Sequence, residues 1–242
     1  MKFEAVLFDL DDTLLGNHMD QFMPGYLGLL RQHAPPQVDK DQFTQTLLHC
    51  VQLMIKSTDT AVSNHETFWK PFSEKLGIAQ HELETYFGKF YENIFPQLET
   101  TTTQIPETAD LIQTCLDLNL KTVVATNPVF PLAAIEHRLR WAGIPTSDYA
   151  FDLVTSYEEM HATKPHTAYY EEILHKIGCE PAKTLMVGDN WENDIEPASK
   201  LGMTAYWISP NGDAPPVLEM VAGYGRLADL YHLINNGWLQ QP

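Results

Sequence analysis

The chain has 242 residues, is 44% hydrophobic, and carries 32 acidic against 15 basic side chains, a net charge of −17. That length allows one domain with an insert or two domains, with a substantial core. The acidity repels nucleic acid and anionic membrane at long range, which argues against both as partners.

The chain begins MKFEAVLFDLDD, with acid inside any possible signal core, which argues against secretion. No apolar run approaches the roughly 18 residues of a membrane span. The three cysteines, Cys50, Cys115 and Cys179, are far apart and odd in number. Neither a zinc knuckle nor a disulfide framework follows from them, and the expected location is the cytoplasm.

The first apolar run, AVLFDLD (5–11), reads as a buried strand that ends in acid. Asp9, Asp11 and Asp12 fall within four positions. Carboxylates this close repel, so either a cation neutralises them or a reaction uses them. A calcium loop is excluded, because the sixth position counted from Asp9 is Leu14 rather than Gly. Asp12 by itself reads as structural or solvated.

Residues 16–104 show no strand pattern but several amphipathic helices. One carries Phe43, Leu47, Val51, Met54 and Ile55 on a stripe. A second opens with Ser63-Asn64-His65-Glu66, a capping box, runs through Phe68, Trp69, Phe72 and Leu76, and stops at Gly77. A third carries Leu83, Phe87, Phe90, Tyr91 and Ile94. The stretch reads as a helical module inserted into another domain, and TTTTQIP (100–106) has the composition of a return linker. The expected division is a core of 1–15 and 105–242 with a helical cap of 16–104. His18, Lys56, His65, Trp69 and Lys70 of the insert are compatible with facing a substrate, but Trp69 and Phe72 have a core-like pattern, and no residue of the insert is placed in the site.

Beyond the linker, strand and helix patterns alternate. LKTVVATN (120–127), FDLVTS (151–156), TLMVGDN (184–190) and TAYWIS (204–209) are apolar runs without polar alternation, as expected of parallel strands covered on both faces. Helical spacing fills Glu107–Leu118, Thr167–Ile177 with Gly178 as a stop, and Asn193–Leu201 with Gly202 after it. The predicted fold is α/β: a Rossmann-like, doubly wound parallel sheet core with an inserted α-helical cap domain.

In such a sheet, functional groups gather at the carboxyl ends of the strands. Those ends here bring Asp9 and Asp11, Thr126 and Asn127, and Asp189 followed by Asp194, with Lys164 in the loop after the third strand. Asp9 and Asp189 offer oxygen to a hard cation, which describes Mg²⁺ better than zinc. Hydroxyl, amide and ammonium groups suit phosphate oxygens. Taken singly, most of these residues have an ordinary structural reading; together they describe a phosphoryl-transfer site. A carboxylate meeting a phosphate dianion is repelled by about 8 kcal/mol at ~4 Å and an effective dielectric of ~20. A metal and Lys164 together offset a repulsion of that size.

FDLDDT, VVATN, Lys164-Pro165 and VGDNWENDI, in that order, resemble the four motifs of the haloacid dehalogenase-like hydrolase superfamily. The helical insert between the first two motifs resembles that family's subclass I, which has a mobile cap. The resemblance implies Asp9 as the aspartyl-phosphate nucleophile and Asp11 as the acid/base, whose carbonyl also binds Mg²⁺. It implies Thr126 and Asn127 as phosphate ligands and Lys164 as the balancing charge. It implies Asp189 as a metal ligand, with Asp194 binding the ion or orienting its waters. The family's true dehalogenases lack the second carboxylate, so Asp11 argues for phosphate chemistry. One departure is His166, where the family often has an acidic residue. The implied function is a Mg²⁺-dependent phosphatase of a small phosphorylated metabolite. The alternatives are a sugar phosphomutase, or a non-catalytic phosphate-binding or phospho-acceptor protein.

Overall fold

The computed structural model describes residues 3–17 and 19–240; His18 lies outside them. Six parallel strands form the sheet: β1 (Ala5–Phe8), β4 (Lys121–Val124), β5 (Leu153–Val154), β6 (Thr184–Gly188), β7 (Thr204–Ile208) and β8 (Gly223–Gly225). Their order across the sheet is β5-β4-β1-β6-β7-β8. The strand order therefore reverses at β1, between β4 and β6, the place where an open α/β sheet leaves a crevice at its carboxyl edge.

The apolar runs are strands because both faces are covered. Ala5 and Leu7 of β1, Val123 and Met186 join Tyr169, Tyr170, Ile173 and Leu174 of α7 (Thr167–Ile177) in one core layer. Val6, Phe8, Val124 and Val187 point the other way. There they meet α5 (Thr108–Asp117), α6 (Leu132–Trp141) and α9 (Leu227–Asn235). The helix expected at 193–201 is a π-helical turn, Trp191–Ile195, followed by the short α8 (Glu196–Lys200).

The insert consists of α1 (Met19–Gln32), α2 (Lys40–Lys56), α3 (Asn64–Leu76) and α4 (Gln80–Asn93). The capping box that opens α3 is formed: Ser63 Oγ accepts the Glu66 N–H at 3.2 Å. Gly77 ends α3 and Gly178 ends α7, both in the left-handed region with φ of 65° and 63°. The stretch 16–104 is not free of strands. β2 (Leu15–Asn17) pairs antiparallel with β3 (Thr102–Gln104), so part of the expected linker is a strand. Three residues are too few to show alternation, which is why the pair was not legible. This ribbon joins the two ends of the insert at its root.

Phe22 and Tyr26 of α1 and Phe95 pack with Phe130 and Trp141 of the sheet domain, so one apolar cluster runs through both parts. No helix among the described residues is long and apolar enough to cross a membrane. Cys50, Cys115 and Cys179 are free thiols.

Candidate active site

A cleft of about 200 Å³ opens at the carboxyl ends of β1, β4 and β6. Asp9, Asp11, Thr126, Asn127, Lys164, Asp189 and Asp194 all line it, so the seven residues singled out from the sequence meet in one place.

Each is positioned by its element. Asp9 follows β1 directly, and its N–H donates to Val187 O of β6 at 2.9 Å. Thr126 and Asn127 leave β4; the Thr126 carbonyl accepts from Thr155 Oγ1 at 2.7 Å and from Tyr169 OH at 2.9 Å. Asn127 Oδ1 accepts the Lys164 N–H at 3.3 Å, tying the loop after β4 to the loop before α7. Asp189 follows β6, and Trp207 of β7 donates its indole N–H to the Asp189 carbonyl at 2.7 Å. The π-helical turn carries Asp194 back to the strand end, where its Oδ2 accepts the Asn190 N–H at 3.0 Å.

Lys164 holds the cluster together. Its Nζ lies 2.6 Å from Asp9 Oδ1 and 2.6 Å from Asp194 Oδ1. All three side chains are buried. Burial pushes the Lys164 ammonium towards neutrality, but Asp194 and Asp9 outweigh it and raise its pKa well above the usual value. Burial raises Asp9 well above the carboxylate range, with Lys164 opposing and Asp194, Asp189 and Asp11 adding to the rise. Burial, then the charges of Asp194 and Asp12, pushes Asp189 up to about 7.

Crowding of the carboxylates adds to the effect of burial at Asp9 and Asp189. Oxygens of Asp9, Asp189 and Asp194 lie within 4.8 Å of one another, and a single ammonium serves them. Two negative charges stay unmatched, which a divalent cation would balance. The donor set is all oxygen, as a hard cation requires. Asp9, Asp189 and Asp194 are the residues that could hold such an ion. The residues present fit a hard divalent cation.

Asp11 differs from the others. Its carboxylate is not part of that cluster. Oδ2 accepts from Arg138 Nη1 at 2.5 Å and Oδ1 from Asn17 Nδ2 at 2.8 Å. Asp12 also lines the cleft, and its carboxylate accepts the Asn17 N–H at 2.9 Å. Arg138 and Asn17 were not singled out from the sequence. A signal for Arg138 exists, since Ala134, Ile135, Trp141 and Ala142 place it on the apolar stripe of α6, where a charge is out of place. Nothing in the sequence marks Asn17.

Lys56, His65, Trp69 and Lys70 of the insert do not line the cleft, whereas Met19 does. Trp69 is buried in the insert and donates to Tyr157 OH at 2.9 Å. His166 uses Nε2 to reach Ile55 O of α2 at 3.1 Å, and Thr163 Oγ1 meets the same carbonyl at 3.2 Å. The departure at His166 thus ties the Lys164 loop to the insert.

The family model described as haloacid dehalogenase-like hydrolase matches residues 3–202. A glyceraldehyde 3-phosphate phosphatase of Methanothermobacter thermautotrophicus is 36% identical over 208 residues, 85% of each chain. The pyrophosphatase PpaX of Bacillus cereus is 26% identical over 209 residues, 86% of this chain and 84% of its own. Among solved structures, a 2-haloacid dehalogenase from Pseudomonas syringae pv. Tomato superposes with TM-score 0.63 at 20% identity, covering 97% of this chain and 99% of that one. A HAD phosphatase from Thermococcus onnurineus superposes with TM-score 0.58 at 22% identity, covering 96% and 98%. These likenesses establish the fold.

Proposed function

The chain belongs to the haloacid dehalogenase-like hydrolase family, and from that premise we propose that it is a Mg²⁺-dependent phosphatase. Its substrate is a small-molecule phosphomonoester, hydrolysed through an aspartyl-phosphate at Asp9. The observation that carries this reading is the Asp9–Lys164–Asp194 cluster with Asp189 beside it. The phosphatase names of the relatives support the reaction class.

Asp9, Asp189 and Asp194 would hold the ion, which supplies charge stabilisation to the phosphate oxygens when bound. A carboxylate oxygen of Asp9 attacks phosphorus. The P–O bond to the leaving group breaks, and Asp11 gives that oxygen its proton. Water then attacks the phosphorus of the aspartyl-phosphate while Asp11 takes a proton from it. Inorganic phosphate leaves and the Asp9 carboxylate is regenerated. Thr126 and Asn127 hold the phosphate oxygens, and Lys164 balances charge on the nucleophile and the phosphate. Residues 16–104 act as a cap that excludes bulk water. This enclosure favours small metabolites over phosphoproteins.

The test is phosphate release from aryl phosphate and from a panel of small phosphorylated metabolites, with Mg²⁺ and with EDTA, beside Asp9→Asn. Release that needs the metal and is abolished by the substitution is expected. Release that survives both would overturn the reading.

A further inference from the structure

Arg138 is completely buried, on the core-facing stripe of α6. A guanidinium withdrawn from water is destabilising unless its charge and donors are matched. Its one ion pair among the described residues is Nη1 with Asp11 Oδ2, at 2.5 Å. Nε and Nη2 find no hydrogen-bond partner there. The ring of Phe130, which lines the cleft, covers the guanidinium carbon at 4.5 Å. Arginine ordinarily grips a carboxylate through two parallel bonds. Here it makes one bond, to a single oxygen of Asp11.

The second oxygen of Asp11 is taken by Asn17, also fully buried, at 2.8 Å. Asn17 lies on β2, through which the chain enters the insert. Both oxygens of Asp11 are thus gripped by groups that cannot move without disturbing α6 or the root of the insert.

We propose that Arg138 is a positioning residue: with Asn17 it fixes the orientation of the Asp11 carboxylate at the cleft, and so sets proton delivery to the leaving oxygen. The proposal rests on the phosphatase reading. It does not make Arg138 a catalytic residue, since Arg138 acts through Asp11.

The readout is leaving-group selectivity in kcat/KM, which reports the first phosphoryl transfer. A nitrophenyl phosphate expels nitrophenolate, which leaves without a proton, whereas the alkoxide expelled from an alkyl phosphate such as glycerol phosphate needs one. Wild type, Asp11→Asn, Arg138→Met, Arg138→Lys and Asp11→Asn/Arg138→Met are compared on both esters. Arg138→Met is expected to lose about tenfold more on the alkyl ester than on the aryl ester, within the ~10²–10⁴ span of acid–base catalysis. The double variant is expected to be no worse than Asp11→Asn, and lysine to restore part of the selectivity. Equal losses on both esters, or losses that multiply in the double variant, would show a merely structural arginine. Should Arg138→Met not fold, Asn17→Ala carries the same comparison: selective loss supports the proposal and uniform loss overturns it. If Asp11→Asn itself shows no selectivity, the acid role of Asp11 fails first, and the proposal falls with it.

Discussion

The Asp194 side chain occupies the space that a side chain at Gly188 would need: a Cβ built there would stand 2.5 Å from Asp194 Cγ and 2.7 Å from its Cβ. Gly188 closes β6, and the backbone of that strand lets Asp194 fold back onto Lys164. Gly188→Ala should push Asp194 off Lys164. The expected result is a stability loss of about 1–3 kcal/mol from overpacking and a fall in Mg²⁺ affinity. Thermal unfolding with and without Mg²⁺ reads both. An alanine variant with unchanged metal affinity would mean that Asp194 plays no part at the ion.

Lys164→Met removes the one ammonium between two buried carboxylates. Breaking a buried pair from one side costs about 3–5 kcal/mol, and loss of transition-state charge stabilisation lowers kcat by ~10²–10³. Lys164→Arg should not rescue, because a planar fork does not replace a point charge between two single oxygens. Denaturant unfolding and steady-state rates decide this; an active arginine variant would contradict the geometry.

If Asp189 holds the proposed ion, the metal and the proton compete there. Burial pushes its carboxyl up to about 7 in the fold, against about 3.9 in an unfolded chain. Between those values the folded state binds more protons than the unfolded state. Stability of the metal-free protein therefore falls as pH rises through that window and levels off above about 7. Asp9, also raised, adds a contribution of the same sign. With EDTA the unfolding temperature should drop from about pH 5 to about pH 8; saturating Mg²⁺ should remove the drop. Mg²⁺ affinity should rise over the same range and then plateau. Calorimetric titration at several pH values checks it, and a pH-independent affinity would count against Asp189 as a ligand.

Asn64 fastens the insert to both loops of the site. Fully buried at the start of α3, it donates from Nδ2 to Ala162 O at 3.1 Å and to Pro128 O at 3.4 Å, and from its N–H to Met160 O at 2.8 Å. Asn64→Ala leaves two carbonyls unpaired, a cost of about 1–3 kcal/mol, and should raise KM more than it lowers kcat. Faster hydrogen exchange at the start of α3 should accompany it. Unchanged exchange would place the fastening elsewhere.

The strand-end residues were readable because each follows an uninterrupted apolar run, and an open parallel sheet gathers such ends. Asp9, Thr126 and Asp189 stand at such ends; Lys164, in a loop well beyond β5, was drawn in by the ordered set of motifs. Arg138 stood out only as a charge on the apolar stripe of α6; its contact with Asp11, 127 positions away, and that of Asn17 have no signature in the sequence. The β2–β3 ribbon was missed because antiparallel pairing between residues so far apart leaves no periodic trace in three-residue strands. Asn64 was read as part of a helix cap; its side chain instead reaches across to the sheet domain.

The central claim is that Asp9 carries the phosphoryl group. Rapid acid quenching during turnover of an aryl phosphate, followed by peptide mass analysis, tests it most directly. One added phosphoryl mass is expected on the peptide containing Asp9, dependent on Mg²⁺ and absent from Asp9→Asn. Full turnover with no such adduct, together with an active Asp9→Asn variant, would contradict it.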